Sequence, residues 1–596
     1  MTAQSHNASD VLVETLIEWG VKVVFGLPGD RINGIMEALR IRQHRIQFVQ
    51  VRHEASAAFM ASGYARATGR LGVCLATSGP GGTNLLTGLY DAKLDQLPVL
   101  AITGMQFHDL QHTFTQQDVD LVQIFRDVSL YNVAVQDAAH MQNVASLACR
   151  SALSKRGVAH LSIASDVQEV TLAESKRSRR NRPSHVPNVT FSGLPVPDPD
   201  ELDRAVEILN SSERVAILVG RGAIGAREEL QCTADLLAAP VAKALLGKTV
   251  MADAHPHCTG GIGILGTEPS QAIMKRCDAL LIVGSTFPYI EYYPDPDEAR
   301  AVQIDVDGQR LGLRYPIEAG LVGDAKATLC KLNKRLHRKE ERTFLNESQH
   351  RMRDWRDKLI QIEEHAGTTL KPAAVVKAFG QRIADNGILV ADSGQNTELA
   401  ARHIHLSLDN DFAVSGALAS MASAIPFAIA AGIAYPNRPL YGVVGDGGFA
   451  MQMGEFSTAV RHGLSLKLLV INNGMLNQIA WEQMMFLGNP QFACELAPID
   501  FANAAVSMGA RGFTIETYEQ IEAVLDEAFA INGPVVIEAK VDRYVPMLPP
   551  VLPTDYARNL AKALPNTPGS TRIRENIENS PLVRKGQLAL AADEKQ

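Results

Sequence analysis

Two short apolar runs in the last third of the sequence end in glycine-rich polar turns, and this pairing constrains the fold most. Tyr441–Val444 leads into Gly-Asp-Gly-Gly, and Leu466–Ile471 leads into Asn-Asn-Gly. Such runs are typical of strands buried on both faces of a parallel sheet. In open α/β sheets, ligands bind beyond the carboxyl ends of the strands. The two turns are therefore expected to converge on one ligand.

The same alternation of apolar runs and helical patterns recurs in three segments, which predicts three sequential α/β domains with parallel sheets. The expected domains are 8–172, 197–335 and 370–545, followed by a tail at 546–596. The length of 596 residues agrees with this plan because it is too great for a single hydrophobic core. The strand-like runs are Val21–Phe25, Phe48–Val51, Gly72–Ala76, Val99–Thr103, Ala159–Ile163, Val215–Val219, Ala279–Val283, Ala301–Ile304, Gly387–Ala391, Leu440–Val444, Leu466–Ile471 and Pro534–Ala539.

Composition bears on which partners the protein binds and on the compartment in which it resides. The formal charge of −8 offers no attraction for a polyanion, so we expect no nucleic-acid partner. Seven cysteines without a C-x-x-C pair are typical of reduced thiols in the cytoplasm. The N-terminal segment has no basic flank followed by an apolar stretch, and no window of about 18 apolar residues predicts a membrane span. We therefore predict a cytoplasmic protein.

Three polar segments lie outside the predicted sheets. Residues 173–201 are basic and then proline-rich, which favours a solvated linker over a nucleic-acid or targeting patch. Residues 333–365 form a charged helical pattern that connects the second and third segments. In the tail, a thin apolar face beside basic residues predicts a weakly amphipathic surface helix. Peripheral membrane contact through this helix is the less favoured interpretation. These tail residues are Arg572, Ile573, Arg574, Ile577, Leu582, Val583, Arg584 and Lys585.

The two turns of the third segment carry the chemistry of a metal-diphosphate site. Asp446 and Asn473 each offer a hard oxygen at a strand end, and one backbone carbonyl would complete three protein ligands for Mg²⁺. Gly447 and Gly448 let backbone N–H groups approach a diphosphate at the start of the following helix. A lone Gly-Asp-Gly is weak evidence. The pair of turns is more informative, because both turns follow strand-like runs and 24 residues separate Gly447 from Asn472.

This pair of turns resembles the metal and diphosphate motif of thiamine-diphosphate-dependent enzymes. The resemblance implies that Asp446 and Asn473 are the metal ligands and that the backbone carbonyl of Met475 is the third. It also implies a carboxylate for the aminopyrimidine ring of the cofactor, usually supplied by another subunit. Glu54 in "RHEASAAFMA" matches this requirement. On its own, Glu54 would be an acidic residue favoured at a helix N-terminus by the dipole.

Further stretches resemble the loops of the same family. "GLPGD" with Gly29 and "TSGPGGTNLLTGL" with Pro80 and Asn84 are similar to loops of the pyrimidine-binding domain. The resemblance assigns Asn396 to the cofactor, and Met421 in "SGALASMASAIP" to the wedge that bends the cofactor. Core packing is the alternative for Met421. Gln117 falls where many relatives carry a Phe-Gln-Glu triplet near the substrate, but the triplet here is Gln-Gln-Asp.

The middle segment resembles the FAD-binding domain of one branch of the family. This branch contains pyruvate oxidase, quinone-dependent pyruvate dehydrogenase and acetolactate synthase. The similar stretches are "ILVGRGA", "GGIGILG", "VGSTFPY", "VQIDVD" and "LVGDA". Glycines after strands suit a pyrophosphate, and an acidic residue after a strand suits a ribose. The alternative is a structural domain without nucleotide. The predicted FAD contacts are Gly220, Gly222, Gly284, Asp305 and Asp324.

The residues after the second turn bear on the reaction. Oxidase-type relatives carry Phe five residues and Glu nine residues after the second Asn of the turn, whereas synthases tend to carry Met and Trp there. This chain has Gln478 and Glu482 at these positions, with Asn477 in place of a usual Gly. Glu482 favours the oxidase type, with a solvated helix position as its alternative, and Gln478 matches neither type.

The resemblance, which covers about residues 10–550, therefore implies thiamine-diphosphate-dependent decarboxylation of pyruvate or a similar 2-oxo acid. Our first hypothesis is oxidation through FAD, with electrons passed to a quinone or oxygen. The second is carboligation of the acetolactate synthase type, and the third is a non-catalytic member of the family. The intact set of Glu54, Asp446 and Asn473 argues against the third. If Glu54 serves a cofactor held by another subunit, the active unit is at least a homodimer, and a homotetramer is the other expected state.

Overall fold

A computed structural model shows three six-stranded sheets arranged one after another along the chain. It describes residues 6–175, 177–182, 193–364, 367, 369–584 and 586–588. Every pairing between neighbouring strands in the sheets is parallel. The predicted fold class, three sequential parallel α/β domains, is confirmed.

The first sheet has the strand order β2-β1-β3-β4-β6-β5. Its strands are β1 Val23–Gly26, β2 Gln47–Gln50, β3 Gly72–Ala76, β4 Val99–Met105, β5 Ser129–Val135 and β6 Val158–Ala164. Its helices are α1 Ala8–Glu18, α2 Asn33–Ile41, α3 Glu54–Thr68, α4 Pro80–Asn84, α5 Leu86–Leu94, α6 Leu121–Ile124, α7 Ala138–Lys155 and α8 Ser165–Glu169.

The second sheet has the order β12-β11-β10-β7-β8-β9, and a long helix, α13, leads from it to the third domain. Its strands are β7 Val215–Val219, β8 Val241–Lys243, β9 Cys258–Gly261, β10 Ala279–Val283, β11 Arg300–Asp305 and β12 Ala319–Val322. The helices are α9 Pro199–Ser211, α10 Arg227–Leu236, α11 Glu268–Arg276, α12 Ala325–Asn333 and α13 Thr343–Glu364.

The third sheet has the order β14-β13-β15-β16-β18-β17, so β15 and β16, which precede the two polar turns, are neighbours at its centre. Its strands are β13 Ile388–Ala391, β14 Asp411–Ala413, β15 Leu440–Gly445, β16 Leu466–Asn472, β17 Arg511–Ile515 and β18 Val535–Lys540. Its helices are α14 Pro372–Gly380, α15 Gln395–His403, α16 Ala424–Ala434, α17 Asp446–Gln452, α18 Phe456–Arg461, α19 Asn477–Met485, α20 Phe501–Ser507 and α21 Gln520–Ala530.

The sequence analysis missed six strands, for physical reasons that differ between them. β5 and β17 are largely half-exposed, so their sequences are not continuous apolar runs. β8 and β14 have three residues each, and β9 and β12 have four. The exact domain limits stay a prediction, although the elements of the three sheets span 8–169, 199–333 and 372–540.

The first and third domains pack through two helices of unusual composition. α3 is rich in alanine, glycine and serine, and α16 is apolar on all sides, so both are buried over most of their length. Phe59 of α3 meets Phe427 of α16 edge to face, with ring centroids 6.0 Å apart. A Cβ at Gly63 would lie 2.9 Å from the Phe427 ring, so the helices approach as closely as glycine permits.

The tail folds back on the third domain as helices α22 (Thr554–Ala563) and α23 (Ser570–Glu578). Ile573 and Ile577 are buried in a cluster with Trp481 of α19, and Arg572 pairs with Asp542 at 3.0 Å. Lys585 lies outside the described residues. Within the described ranges, none of the helices combines the length and hydropathy needed to cross a membrane. All seven cysteines are free thiols.

Candidate active site

Asp446 begins α17 at the carboxyl end of β15, as its place after a buried strand predicts. Its Oδ1 accepts from the N–H of Gly447 at 2.8 Å, and its Oδ2 accepts from the N–H of Gly474 at 2.7 Å. The side chain is buried, and burial raises the pKa of its carboxyl despite these hydrogen bonds. No salt bridge neutralises it among the residues that the structure describes. A divalent cation would supply the missing charge, so the donor set fits Mg²⁺.

Asn473 follows the adjacent strand β16, so the two turns meet through the bond from Gly474 to Asp446. The Nδ2 of Asn473 donates to Gln395 Oε1 at 3.5 Å, and its Oδ1 accepts from Met475 N at 3.0 Å. Met475 is buried and forms an isolated bridge with Glu495. The predicted ligands therefore lie in one connected turn structure, whereas their binding of a metal stays a prediction.

Side chains pack closely against the Gly447-Gly448 turn, and one of them is Met421, which the sequence analysis assigned to the cofactor. A Cβ at Gly447 would lie 2.9 Å from Leu476 and 3.4 Å from Cε of Met421. A Cβ at Gly448 would overlap Oδ2 of Asp392. A side chain at 448 would collide with Asp392, whereas one at 447 would displace the end of the Leu476 side chain. Met421 lies beside the turn that would receive the diphosphate.

Asn396 lies in the first turn of α15, at the carboxyl end of β13. Its Nδ2 donates to the carbonyl oxygens of Asp392 at 2.5 Å and Val443 at 3.2 Å. The side chain thus ties the ends of two neighbouring strands together. This contact explains its burial without a ligand, and the assignment of Asn396 to the cofactor stays a prediction.

Glu54 is the first residue of α3, and only 8% of it is exposed. Its Oε2 accepts from Nδ2 of Asn84 at 3.0 Å, and a Cβ at Gly81 would lie 3.5 Å from its Oε1. The structure thus brings together Glu54 and Asn84, which the sequence analysis singled out separately. The amide of Asn84 thus orients the carboxylate of Glu54, which suits a carboxylate that has to hydrogen-bond one particular atom of a ligand.

The loops of the first domain that carry Gly29, Pro80 and Gln117 contact one another. Pro80 opens α4, and a Cβ at Gly29 would lie 2.5 Å from Thr77. Gln117 accepts from the buried Ser78 hydroxyl at 2.8 Å. Its φ of +61° is unusual for a residue with a side chain, so the loop holds this glutamine in a defined conformation.

Gln478 and Glu482 face each other along α19, where the Nε2 of Gln478 donates to Oε1 of Glu482 at 2.9 Å. Both are partly exposed. Asn477 is buried, donates to Oε1 of Gln395 at 2.6 Å and leaves its own Oδ1 without a partner among the described residues. The start of α19 is therefore tied to α15 through an amide pair that a glycine at 477 could not form.

In the middle domain, the predicted glycines form one contact between the ends of β7 and β10. Gly222 N donates to Gly284 O at 3.1 Å, a Cβ at Gly220 would overlap the same carbonyl, and Gly284 has φ +57°. Close packing alone would require glycine here. Glycines at strand ends are also typical of turns that bind a pyrophosphate, so FAD binding by these glycines stays a prediction.

The two predicted acidic residues of the middle domain differ in their surroundings. Asp305 ends β11, accepts from Asp307 N at 3.0 Å, and has a carboxyl whose pKa is raised by burial. Asp324 caps α12 by accepting from Ala327 N at 2.9 Å, which is a structural use of its carboxylate. Asp305 is therefore the better candidate for a nucleotide contact.

Sequence reasoning missed two residues that organise this site, Gln395 and Asp392. Gln395 accepts from both Asn473 and Asn477, so it links the predicted metal turn to α15. Asp392 follows β13 and lies against Gly448. Both stand at the carboxyl end of a strand, which is the signal that identified Asp446 and could have identified them.

Three family models match the chain in the order of its domains. "Thiamine pyrophosphate enzyme, N-terminal TPP binding domain" matches residues 6–124, the central domain of the same family matches 202–332, and its C-terminal TPP binding domain matches 392–539. The chain belongs to the thiamine pyrophosphate enzyme family. Thiamine pyrophosphate and thiamine diphosphate are the same molecule, so the family accounts for the diphosphate expected at the third sheet.

Relatives place this thiamine pyrophosphate enzyme in the pyruvate oxidase and acetolactate synthase branch. A protein of Bacillus subtilis described as thiamine pyrophosphate-containing (YdaP) is 37% identical, covering 91% of this chain and 92% of that protein. Pyruvate oxidase of Lactiplantibacillus plantarum is 31% identical, with 90% and 89% covered. Acetolactate synthase of Mycobacterium bovis is 30% identical, with 90% and 88% covered.

Proposed function

We propose that the protein decarboxylates pyruvate or a similar 2-oxo acid with thiamine diphosphate and Mg²⁺, and that the remaining fragment is then oxidised, for which bound FAD would supply the electron acceptor. Electrons then pass to a quinone or to oxygen. The observation that carries the proposal is the buried carboxylate of Asp446, which has no salt bridge among the described residues and is joined to the Asn473 turn beside two closely packed glycines. The 31% identity to a pyruvate oxidase supports the oxidative outcome.

In this proposal the third domain holds the cofactor through its two turns. Asp446, Asn473 and the backbone carbonyl of Met475 hold Mg²⁺. The N–H groups of Gly447 and Gly448 receive the diphosphate at the start of α17. When bound, thiamine diphosphate supplies the electron sink that allows CO₂ to leave a 2-oxo acid. Met421 packs against the organic part of the cofactor from its position beside Gly447.

The first domain contributes the carboxylate that addresses the aminopyrimidine ring. Glu54 hydrogen-bonds a ring nitrogen, and Asn84 fixes the orientation of the Glu54 carboxylate through its 3.0 Å bond. The described hydrogen bonds of Glu54 and Asp446 lie within their own domains. We therefore propose a homodimer or homotetramer in which Glu54 completes the site of a neighbouring chain. Gln117 lies at the same edge and contacts the substrate.

The oxidative branch of the proposal assigns roles to α19 and to the middle domain. Glu482, positioned by Gln478, faces the substrate and holds or releases a proton during oxidation. Gly220, Gly222, Gly284 and Asp305 would hold FAD, which supplies a two-electron acceptor when bound. Electrons leave for a quinone or oxygen, and no residue of the chain needs to change its oxidation state.

Carboligation of the acetolactate synthase type is the second candidate. A relative named acetolactate synthase is 30% identical over 90% of the chain. Oxidase-type relatives carry Phe at the position of Gln478. Here the polar Gln478 hydrogen-bonds Glu482, so the surroundings of the residue that favours the oxidase type differ from those in such relatives. A non-catalytic role is disfavoured because Glu54, Asn84, Asp446 and Asn473 form complete, ordered contacts.

The flavin spectrum separates the two catalytic candidates. The purified protein, loaded with thiamine diphosphate, Mg²⁺ and FAD, is mixed with near-stoichiometric pyruvate without oxygen. Oxidation predicts bleaching of the flavin and formation of acetate. An unbleached flavin with acetolactate accumulating would favour the synthase, and an unbleached flavin without CO₂ release would contradict both candidates for pyruvate.

A further inference from the structure

The loop that carries Met421 is held at its far end by one buried carboxylate. We call residues 415–424, between β14 and α16, the wedge loop. Asp392 Oδ2 accepts from Ala422 N at 2.8 Å, and its Oδ1 accepts from Ser423 N at 3.0 Å and Ala424 N at 3.4 Å. The Ser423 hydroxyl adds a contact to Oδ1 at 3.4 Å. Asp392 thus binds three successive N–H groups at the N-terminus of α16.

Asp392 is buried, with 1% of the residue exposed, and it forms no salt bridge among the described residues. Burial raises the pKa of its carboxyl to about 6, while the backbone N–H groups act in the opposite direction. Charged hydrogen bonds are stronger than neutral ones, and the N-terminus of an 11-residue helix favours an anion. The carboxylate of Asp392 therefore interacts mainly with the N–H groups of the wedge loop and of α16, and to a smaller extent with the N–H of Ser393.

The near end of the wedge loop is fixed by the other two domains. Ala417 N donates to Oδ1 of Asp95 at 3.2 Å in the first domain. A Cβ at Gly416 would lie 2.5 Å from Leu246 in the middle domain. Between these anchors, Ala419 and Ala422 have φ angles of +54° and +67°, a conformation that residues with a Cβ adopt only when their surroundings enforce it.

Asp392 and Met421 each lie against one glycine of the predicted diphosphate turn. Oδ2 of Asp392 occupies the space where a Cβ at Gly448 would be, and Met421, one residue before Ala422, reaches to within 3.4 Å of a Cβ placed at Gly447. The carboxylate that holds the backbone of the loop thus also packs against the turn that Met421 approaches. Neither the loop nor this turn can shift alone without breaking these contacts.

We propose that Asp392 is a positioning residue, which holds the wedge loop so that Met421 stands beside Gly447 before thiamine diphosphate binds. The inference rests on the proposed function, in that it takes the cofactor to bind at this turn. The gain is preorganisation, because a loop that is already ordered does not lose conformational entropy on binding. Asp392 itself does not touch the cofactor.

Asp392→Asn tests this role, with two readouts that do not depend on catalysis. An amide keeps the shape of the carboxylate but loses its charge and places an N–H donor against backbone N–H groups. We expect faster hydrogen exchange in the cofactor-free protein at residues 422–424. We also expect affinity for thiamine diphosphate with Mg²⁺ to fall by roughly ten- to a hundredfold, the range of one or two charged hydrogen bonds.

Glu363→Gln is the matched control, since Glu363 is a buried carboxylate that pairs with His403 at 2.7 Å, away from the wedge loop. It should leave exchange in the wedge loop and cofactor affinity unchanged. If Asp392→Asn does not fold, Ser423→Ala removes the 3.4 Å contact to Asp392 together with the 3.2 Å bond to the carbonyl oxygen of Ser420, and it should produce a smaller shift in the same direction. Unchanged exchange at 422–424, or unchanged affinity, in either variant would overturn the inference.

A double-mutant cycle with Met421→Ala tests whether Asp392 acts through Met421. Once the Met421 side chain is removed, the Asp392→Asn substitution should weaken binding only slightly further. Full additivity would mean that Asp392 acts by another route and would overturn the inference. If the wild type itself fails to bind thiamine diphosphate with Mg²⁺, the proposed function fails together with the inference. If the wild type binds and the variants match it, the inference alone fails.

Discussion

Asp446→Asn should abolish the stabilisation of the protein by thiamine diphosphate and Mg²⁺ and leave the cofactor-free fold intact. Replacing the charged carboxylate ligand with a neutral amide should weaken cofactor binding by about a hundredfold, because losing even an indirect partner of a metal ligand typically lowers affinity roughly 10- to 100-fold. In the cofactor-free protein, the variant loses one hydrogen bond, to the N–H of Gly447 or Gly474. It is also relieved of a buried charge, so we expect its free energy of unfolding to change by about 1 kcal/mol or less.

Thermal unfolding with and without thiamine diphosphate and Mg²⁺ measures both effects at once. A ligand that binds only the folded state raises the melting temperature, so the wild type should show a rise that the variant lacks. Asp542→Asn is the control, since Asp542 is also a buried aspartate of the third domain but pairs with Arg572. A cofactor-dependent rise of normal size in Asp446→Asn would contradict the assignment of the metal site.

Glu54→Gln should keep the cofactor bound and lower turnover by roughly a hundred- to ten-thousandfold, the range typical of a group that assists proton transfer. Glutamine can still accept from Asn84, so the start of α3 should keep its structure. Steady-state CO₂ release and cofactor affinity are measured side by side. Ser62→Ala is the control, because Ser62 is buried two turns along the same helix and bonds Asp91 at 2.5 Å. Turnover close to that of the wild type would remove Glu54 from the mechanism.

Mixing the two inactive variants tests the proposed sharing of the site between chains. If Glu54 of one chain serves the metal site of another, co-expressed Glu54→Gln and Asp446→Asn chains form hybrid oligomers in which one site has both native residues. Activity should reappear in the mixture. If each chain holds a complete site, the mixture stays inactive, and the proposed subunit arrangement is wrong.

The parts of this site that follow long buried strands were predictable from the sequence. β15 and β16 are central and apolar, so the apolar pattern identifies where they end, at Asp446 and Asn473, and the structure shows that the two strands are neighbours. Gln395 and Asp392 also follow a buried strand, β13, but that strand has four residues and its turn lacks the paired glycines that mark the end of β15. Their importance depends on side-chain contacts across 78 and 30 residues of chain, which local patterns do not reveal.

In the middle domain, the sequence analysis assigned to a ligand several residues that also have a structural use. Gly220, Gly222 and Gly284 were assigned to FAD, and the structure shows that mutual backbone contact would require them in any case. Asp324 was assigned to the same ligand and serves as a helix cap. A glycine-rich strand end is compatible with a nucleotide and with close packing alike. Only a bound flavin would distinguish them.

Release of CO₂ from carboxyl-labelled pyruvate is the direct test of the proposed decarboxylation. The protein is assayed with thiamine diphosphate and Mg²⁺ together, with each alone and with neither. We expect sustained release of CO₂ that requires both thiamine diphosphate and Mg²⁺ and is lost in Asp446→Asn and Glu54→Gln. No release from pyruvate or from other 2-oxo acids by protein that demonstrably binds both cofactors, or release that persists without them, would contradict it.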